Sequence, residues 1–217
     1  MLFRNRIDGG KQLARALTTH KNAKETIVLG LPRGGVVTAY EVATALNLPL
    51  DVVCPIKIGA PTNKEYAIGA VTETGEGIFN ESEIRRLSIS KSYLKNAIDH
   101  AVLEAKERVK LFKETIHPLN YAKKTLIIVD DGMATGLTMK ASIIALRKMS
   151  ASKIIVAVPL APKDTLEEIK TIADEVICLQ SPPSFHAVGQ FYDYFGQTST
   201  EDVRKLLQAR NELLHPL

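Results

Sequence analysis

The stretch Thr125-Leu126-Ile127-Ile128-Val129-Asp130-Asp131-Gly132-Met133-Ala134-Thr135-Gly136-Leu137-Thr138 decides the fold. Its first five residues are rich in β-branched side chains and do not alternate with polar ones, the pattern of a strand covered on both faces. Two acids end the strand and a turn of small residues follows. Leu137, Ala141, Ile144, Ala145 and Met149 then recur at helical spacing. Working outward, the same unit repeats. Glu25 to Gly30 reads as a strand that leads through Pro32-Arg33-Gly34-Gly35 into a helix with Val36, Tyr40, Ala43 and Leu46 on one face. Leu50 to Cys54 is a second strand, bounded by Pro49 and Pro55. Lys153 to Val158 is another, followed by a helix from Lys163 to Ala173 and a last strand from Glu175 to Leu179. Strands separated by helix-length segments call for right-handed crossovers. The expectation is a three-layer α/β fold on a mostly parallel, twisted sheet.

Two segments interrupt the alternation. Residues 59–80 are dense in glycine, proline and small polar residues, which suggests a mobile loop or a short hairpin. Asn80 ahead of Glu83 predicts a capped helix, and Leu94, Ala97, Ile98, Ala101, Val102, Ala105, Val109 and Phe112 predict a long amphipathic one over 91–115. Near the C-terminus, Ser199 ahead of Asp202 caps a helix carrying Val203, Leu206 and Leu207. No linker-like tract divides the chain. The reading is one domain over 1–217, with 59–122 as an inserted mobile loop plus helices and 182–217 as a C-terminal hood.

Composition removes several classes. The 217 residues are 45% hydrophobic and 24% charged, an ordinary globular balance without low-complexity tracts. The longest stretch free of charged and polar residues, 154–162, is too short to span a bilayer, and residues 1–6 do not form a signal peptide. The two cysteines, Cys54 and Cys178, sit in apolar runs and read as buried hydrophobes of a cytoplasmic protein. Net charge is +4, and 81–124 holds the surplus, with ten Lys and Arg against six Asp and Glu. The signs there are interleaved, as on a solvated helix face, so nucleic acid has little support as a partner. The five histidines, His20, His100, His117, His186 and His215, are dispersed and form no metal set.

In an open parallel sheet, ligands bind beyond the carboxyl ends of the strands. The loop Gly132 to Gly136 lets backbone N–H groups converge, and the helix behind it adds its positive end, a combination suited to a phosphate dianion. Asp130 and Asp131 are acceptors for sugar hydroxyls and can hold Mg²⁺, directly or through water. The pattern asks for a phosphate with a diol beside it. It is not a Walker A loop, since Leu137-Thr138 follows Gly136 where Lys-Ser or Lys-Thr is needed. Nor does Gly30 to Gly35 carry the Rossmann glycine spacing.

Val129 to Thr138 resembles the phosphoribosyl pyrophosphate signature of the type I phosphoribosyltransferases, and Leu31-Pro32-Arg33-Gly34-Gly35 resembles their pyrophosphate loop. Lys57 to Pro61, Ala67 to Val71 and Ala187 to Tyr192 are similar to a little-characterised bacterial branch of that family. The resemblance implies the type I phosphoribosyltransferase fold, a transferase of nucleotide metabolism, and displacement of pyrophosphate from phosphoribosyl pyrophosphate by an unidentified nitrogenous base, or the reverse. It also implies roles. Asp130 and Asp131 would bind the ribose hydroxyls. Backbone amides from Ala134 through Thr135, Gly136, Leu137 and Thr138, with the two threonine hydroxyls, would hold the terminal phosphate, and Gly132 and Met133 would belong to the same substrate site. Arg33, Gly34 and Gly35 would bind pyrophosphate with Mg²⁺, Lys57 would help neutralise it, and 59–80 would close over the centre. A homodimer is compatible with the resemblance.

Three departures qualify it. Ile56 stands where the branch usually has arginine. Ala134 stands where the 6-oxopurine enzymes carry an aspartate that handles the base's proton, which argues against hypoxanthine or guanine. Leu137 replaces a glycine often found there. Phe185, Phe191, Tyr192, Tyr194 and Phe195 can wall a planar base or simply pack the hood. The alternative reading is a regulator that senses phosphoribosyl pyrophosphate or a nucleotide without turnover, in association with RNA through the basic 81–124 segment.

Overall fold

In the computed structural model, which describes residues 2–64, 66–114, 116 and 119–214, the stretch 125–129 is the middle strand of a five-stranded parallel sheet. Its strands are β1 (Thr26–Gly30), β2 (Leu50–Val52), β6 (Thr125–Val129), β7 (Lys153–Leu160) and β8 (Glu175–Gln180), ordered β2-β1-β6-β7-β8. Side chains alternate between two buried faces. Val28, Ile127, Val129 and Ile155 enter one core, shared with α1 (Arg6–Ala16), α2 (Gly34–Leu46) and α7 (Thr200–Leu214). Ile27, Leu29, Leu126, Ile128 and Val156 enter the other, shared with α5 (Leu137–Lys148) and α6 (Lys163–Lys170). Apolar side chains on both faces explain why the strands lack a polar alternation. This is the expected three-layer α/β fold.

The topology fixes where a ligand can bind. From β1 the chain steps outward to β2 on one side, and from β6 it steps to β7 and β8 on the other. The order therefore reverses between β1 and β6, whose ends are level because Gly30 pairs with Val129. A crevice at such a reversal is the standard ligand position of open α/β sheets.

Residues 56–79 build a second sheet, antiparallel, from β3 (Ile56–Gly59), β4 (Ala67–Val71) and β5 (Gly77–Phe79). The segment expected as a mobile loop or short hairpin thus contains the β4–β5 hairpin, and β4 is paired with β3. Ile56, Ile58, Ile68 and Val71 pack there against Ile84 of α3 (Glu81–Arg86) and against Ala101 and Ala105 of α4 (Lys91–Lys113). Asn80 caps α3 as the sequence announces, accepting from the Glu83 N–H, and Ser90 caps α4 by accepting from the Tyr93 N–H. The far end of α4 joins the main core through Phe112. There Lys113 pairs with the fully buried Asp51 at 2.9 Å, and the Tyr121 hydroxyl donates to the same carboxylate at 2.7 Å.

Helix α1 is not announced by the apolar spacing. Asn5 caps it by accepting from the Asp8 N–H at 2.9 Å, and Leu13, Ala14 and Leu17 seat it on the α2 side of the sheet. Residues 182–199 are mostly irregular. Phe185, Val188, Phe191 and Tyr192 cluster with Phe3 and with Leu160 and Leu179 at the ends of β7 and β8. Helix α7 lies on α2 instead, where Val203 and Leu207 are fully buried.

Candidate active site

The turn after β1 delivers Arg33, Gly34 and Gly35 to the start of α2. The Pro32–Arg33 peptide bond is cis, and Arg33 occupies the N-cap position, its side chain exposed and making no capping bond. Across the crevice stand the two acids that follow β6. A side-chain carbon on Gly34 would lie 2.1 Å from Asp131 Oδ2, and one on Gly35 would lie 2.6 Å from Asp130 Oδ1. The absence of side chains at both glycines is what lets the two strand-end loops abut. Arg33-Gly34-Gly35 and Asp130-Asp131 are thereby one constellation.

The acids differ in their partners. Asp131 is tied on both ends. Its Oδ2 accepts from Arg6 Nε at 2.5 Å, and its carbonyl accepts from the Tyr192 hydroxyl at 2.5 Å. Asp130 accepts the Asp131 N–H at 2.9 Å through Oδ1, and no arginine or lysine is hydrogen-bonded to it among the described residues. Burial pushes the Asp130 carboxyl well above the usual range, and the adjacent Asp131 charge adds to this, opposed by Lys57. Burial also raises Asp131, with Arg6 opposing it. The crevice therefore holds carboxyl groups that gain from a cation or from hydroxyl donors, and Asp130 has the greater need.

The loop beyond them is braced from both sides. Met133 is buried and its N–H is spent on Leu160 O at 3.0 Å, while the Ala134 carbonyl accepts from the Thr165 hydroxyl at 2.7 Å. Gly132 is buried beside Val188, and Ala134 and Thr135 are exposed. Gly136 has φ 70° and is the N-cap of α5, with no side-chain cap. Leu137 and Thr138 form the first turn, half-buried, and first-turn N–H groups have no acceptor inside their own helix. An anion over residues 135–138 would meet those donors and the positive helix end. Lys57 lies inside β3 with its side chain exposed, and it reaches the constellation only through its charge. Arg33 faces a cavity of 260 Å³ shared with Arg108 and Thr200.

One residue of this site escapes the sequence reading. Arg6 has no place in the phosphate or acid motifs, and its only signal is the Asn5–Asp8 cap beside it. Phe195, one of the five clustered aromatics, lies under Arg6 with the guanidinium 3.7 Å from its ring centre. Among the described residues no group of three or more His, Cys, Asp and Glu could hold a metal ion, and His117 and His215 lie outside them. A cation here would have Asp130, with or without Asp131, and would draw its remaining ligands from a bound molecule.

Residues 2–195 match the family model of the phosphoribosyl transferase domain. The chain belongs to that family. Two relatives from Mycobacterium tuberculosis, named "Putative phosphoribosyl transferase MT0597" and "Putative phosphoribosyl transferase Rv0571c", are each 39% identical over 202 residues. The alignment covers 93% of this chain and 45% of each relative, so this phosphoribosyl transferase domain spans about half the length of the curated relatives it matches. Among solved structures, TT1426 from Thermus thermophilus superposes with a TM-score of 0.81 at 37% identity, covering 96% of this chain and 99% of that one. The family assignment agrees with the three-layer α/β fold. No helix among the described residues is long and apolar enough to cross a membrane.

Proposed function

We propose that this phosphoribosyl transferase domain transfers a phosphoribosyl group between pyrophosphate and a nitrogenous base. The observation that carries the reading is the abutment of the 33–35 loop on Asp130 and Asp131 at the sheet's reversal. First-turn backbone donors suited to a phosphate and carboxylate acceptors suited to a diol follow the same strand, and Arg33 belongs to the loop that abuts on them. In the transfer, the bond from the anomeric carbon to pyrophosphate breaks with its electron pair leaving on pyrophosphate, and a base nitrogen forms the new bond, releasing its proton. Positive charge grows on the sugar ring while negative charge grows on the leaving group. Asp130 and Asp131 hold the ribose hydroxyls and lie near the first; Arg33, the loop backbone and Lys57 act on the second. The 59–80 hairpin segment serves as the cover that limits water entry.

Mg²⁺ suits this donor set, because it is commonly held by one or two carboxylates together with substrate phosphates. Asp130 is the carboxylate with a free claim, and the ion would supply charge neutralisation for pyrophosphate. Ala134 offers no group to move a proton on the base, which disfavours 6-oxopurines as acceptors. Several bases of the 81–124 segment are matched within the chain, as in the Arg86–Glu83, Arg108–Glu104 and Lys124–Glu25 pairs, so the RNA-associated sensor has less support.

The test is a screen of heterocyclic bases with labelled phosphoribosyl pyrophosphate and Mg²⁺, following pyrophosphate release. The expected result is release that depends on one class of base. Binding of phosphoribosyl pyrophosphate without turnover on any base, together with salt-sensitive RNA affinity, would favour the sensor instead.

A further inference from the structure

We propose that Arg6 is a positioning residue for the sugar-binding carboxylate of Asp131, and that it makes the 192–196 segment part of sugar recognition. This rests on the phosphoribosyl reading above and adds Arg6, which no motif in the sequence assigns. The geometry is a closed ring of contacts. Arg6 Nε donates to Asp131 Oδ2 at 2.5 Å, and its Nη1 donates to the Gly196 carbonyl at 2.5 Å. The guanidinium lies on the Phe195 ring, which stacks on Tyr192 with centres 5.1 Å apart. Tyr192 returns to Asp131 by donating its hydroxyl to the carbonyl. The side chains of Arg6 and Asp131 are only 13% and 12% exposed.

Each contact removes a freedom from Asp131. A carboxylate on a loop can turn about its side-chain bonds, and a diol is recognised only if the oxygen lone pairs are already aimed at it. The Tyr192 bond fixes the backbone, and the Arg6 bond fixes the carboxylate plane by occupying Oδ2. The carboxylate lone pairs that Arg6 does not take are then held in place for a sugar hydroxyl. Gly34 closes the opposite side, since a side-chain carbon there would also strike Arg6 Nε at 2.6 Å. Arginine is suited to this task because its planar fork binds two acceptors while its face rests on a ring. Lysine offers one compact charge and cannot do all three. Arg6 touches no reacting atom; it acts through Asp131.

The experiment compares two ligands, ribose 5-phosphate and tetrahydrofurfuryl phosphate, by calorimetry. Both have a ring ether and a phosphomonoester, and the second lacks the ring hydroxyls. Wild type should prefer ribose 5-phosphate. Arg6→Ala should shrink that preference about tenfold or more through weaker ribose 5-phosphate binding, with tetrahydrofurfuryl phosphate changed by less than about threefold. Arg6→Lys should recover part of the preference. An equal loss for both ligands, or an unchanged preference, in folded Arg6→Ala would overturn the proposal. If Arg6→Ala does not fold, Arg6→Gln keeps much of the side chain's length while removing the charge and the planar fork that hold Asp131. A narrowed preference there supports the role and an unchanged one overturns it. Wild type without any preference for ribose 5-phosphate would defeat the phosphoribosyl reading itself, and the role of Arg6 with it.

Discussion

Placing a methyl group on Gly34 strikes the site where its two halves meet. In Gly34→Ala the new carbon would lie 2.1 Å from Asp131 Oδ2, and ordinary contact begins at 3.4 Å, so the carboxylate must retreat by about 1.3 Å. It cannot carry Arg6 with it, because Arg6 Nε is itself 2.6 Å from the same carbon. The 2.5 Å ion pair is therefore pushed open from both sides, or the 33–35 loop withdraws from the crevice. Overpacking of this kind costs about 1–3 kcal/mol. For a chain of this size that is a fall in the thermal midpoint of roughly 2–12 °C. Ribose 5-phosphate affinity should fall with it, because either relaxation misplaces Asp131. Scanning calorimetry and ligand titration on the same protein provide the check. A midpoint within a degree of wild type, with unchanged ribose 5-phosphate affinity, would refute the claim that the loops are in contact through Gly34.

Three further outcomes are expected. Arg33→Ala should lower turnover about thirty- to a thousand-fold, the effect of losing roughly 2–4 kcal/mol of stabilisation of a developing charge, with little change in ribose 5-phosphate binding. Steady-state kinetics beside calorimetry separates the two effects. Gly136→Ala forces a side chain onto φ 70° at the start of α5, with its carbon 2.9 Å from Thr165 Cγ2. It should cost about 1–2 kcal/mol in urea unfolding and weaken binding of inorganic phosphate. Glu73 lies in the β4–β5 turn with a buried Oε2 that has no hydrogen-bond partner among the described residues, and burial raises its pKa above 4.5. A raised carboxyl pKa means that the folded state binds more protons, so this group's penalty is present at neutral pH and disappears as pH falls below the unfolded value. Glu73→Gln should thus stabilise the protein at pH 7, with the gain vanishing near pH 4 in urea titrations; a constant gain across that range would contradict the assignment.

The central fold was legible because parallel strands buried on both faces leave uninterrupted apolar runs, and 26–30, 125–129 and 153–160 are such runs. The acids and the phosphate loop were legible for a related reason: both follow directly on those strands. Helix α1 was hidden by Gly9 and Gly10, which resemble a turn. They serve packing instead, since a side-chain carbon on Gly10 would sit 2.7 Å from the Thr38 carbonyl of α2, and one on Gly9 would crowd the Tyr192 hydroxyl at 3.2 Å. With α1 hidden, Arg6 was hidden too, because its partner is 125 residues away and no local pattern marks an ion pair of that span. The small sheet was obscured by four glycines and Pro61 over 59–80, where β4 and β5 are short and pair only with one another and with β3. Pro55 separates β2 from β3, and β3, the strand that carries Lys57, was not foreseen.

The most direct test of the account is a calorimetric titration of phosphoribosyl pyrophosphate, with Mg²⁺ present, into wild type and into the Asp130→Asn, Asp131→Asn double variant. Asparagine keeps the size of each side chain and removes the charge that the sugar hydroxyls and the cation require. The account predicts that the folded double variant binds about tenfold more weakly or worse. Equal affinity in the two proteins would contradict it, and would remove the acid pair from the site.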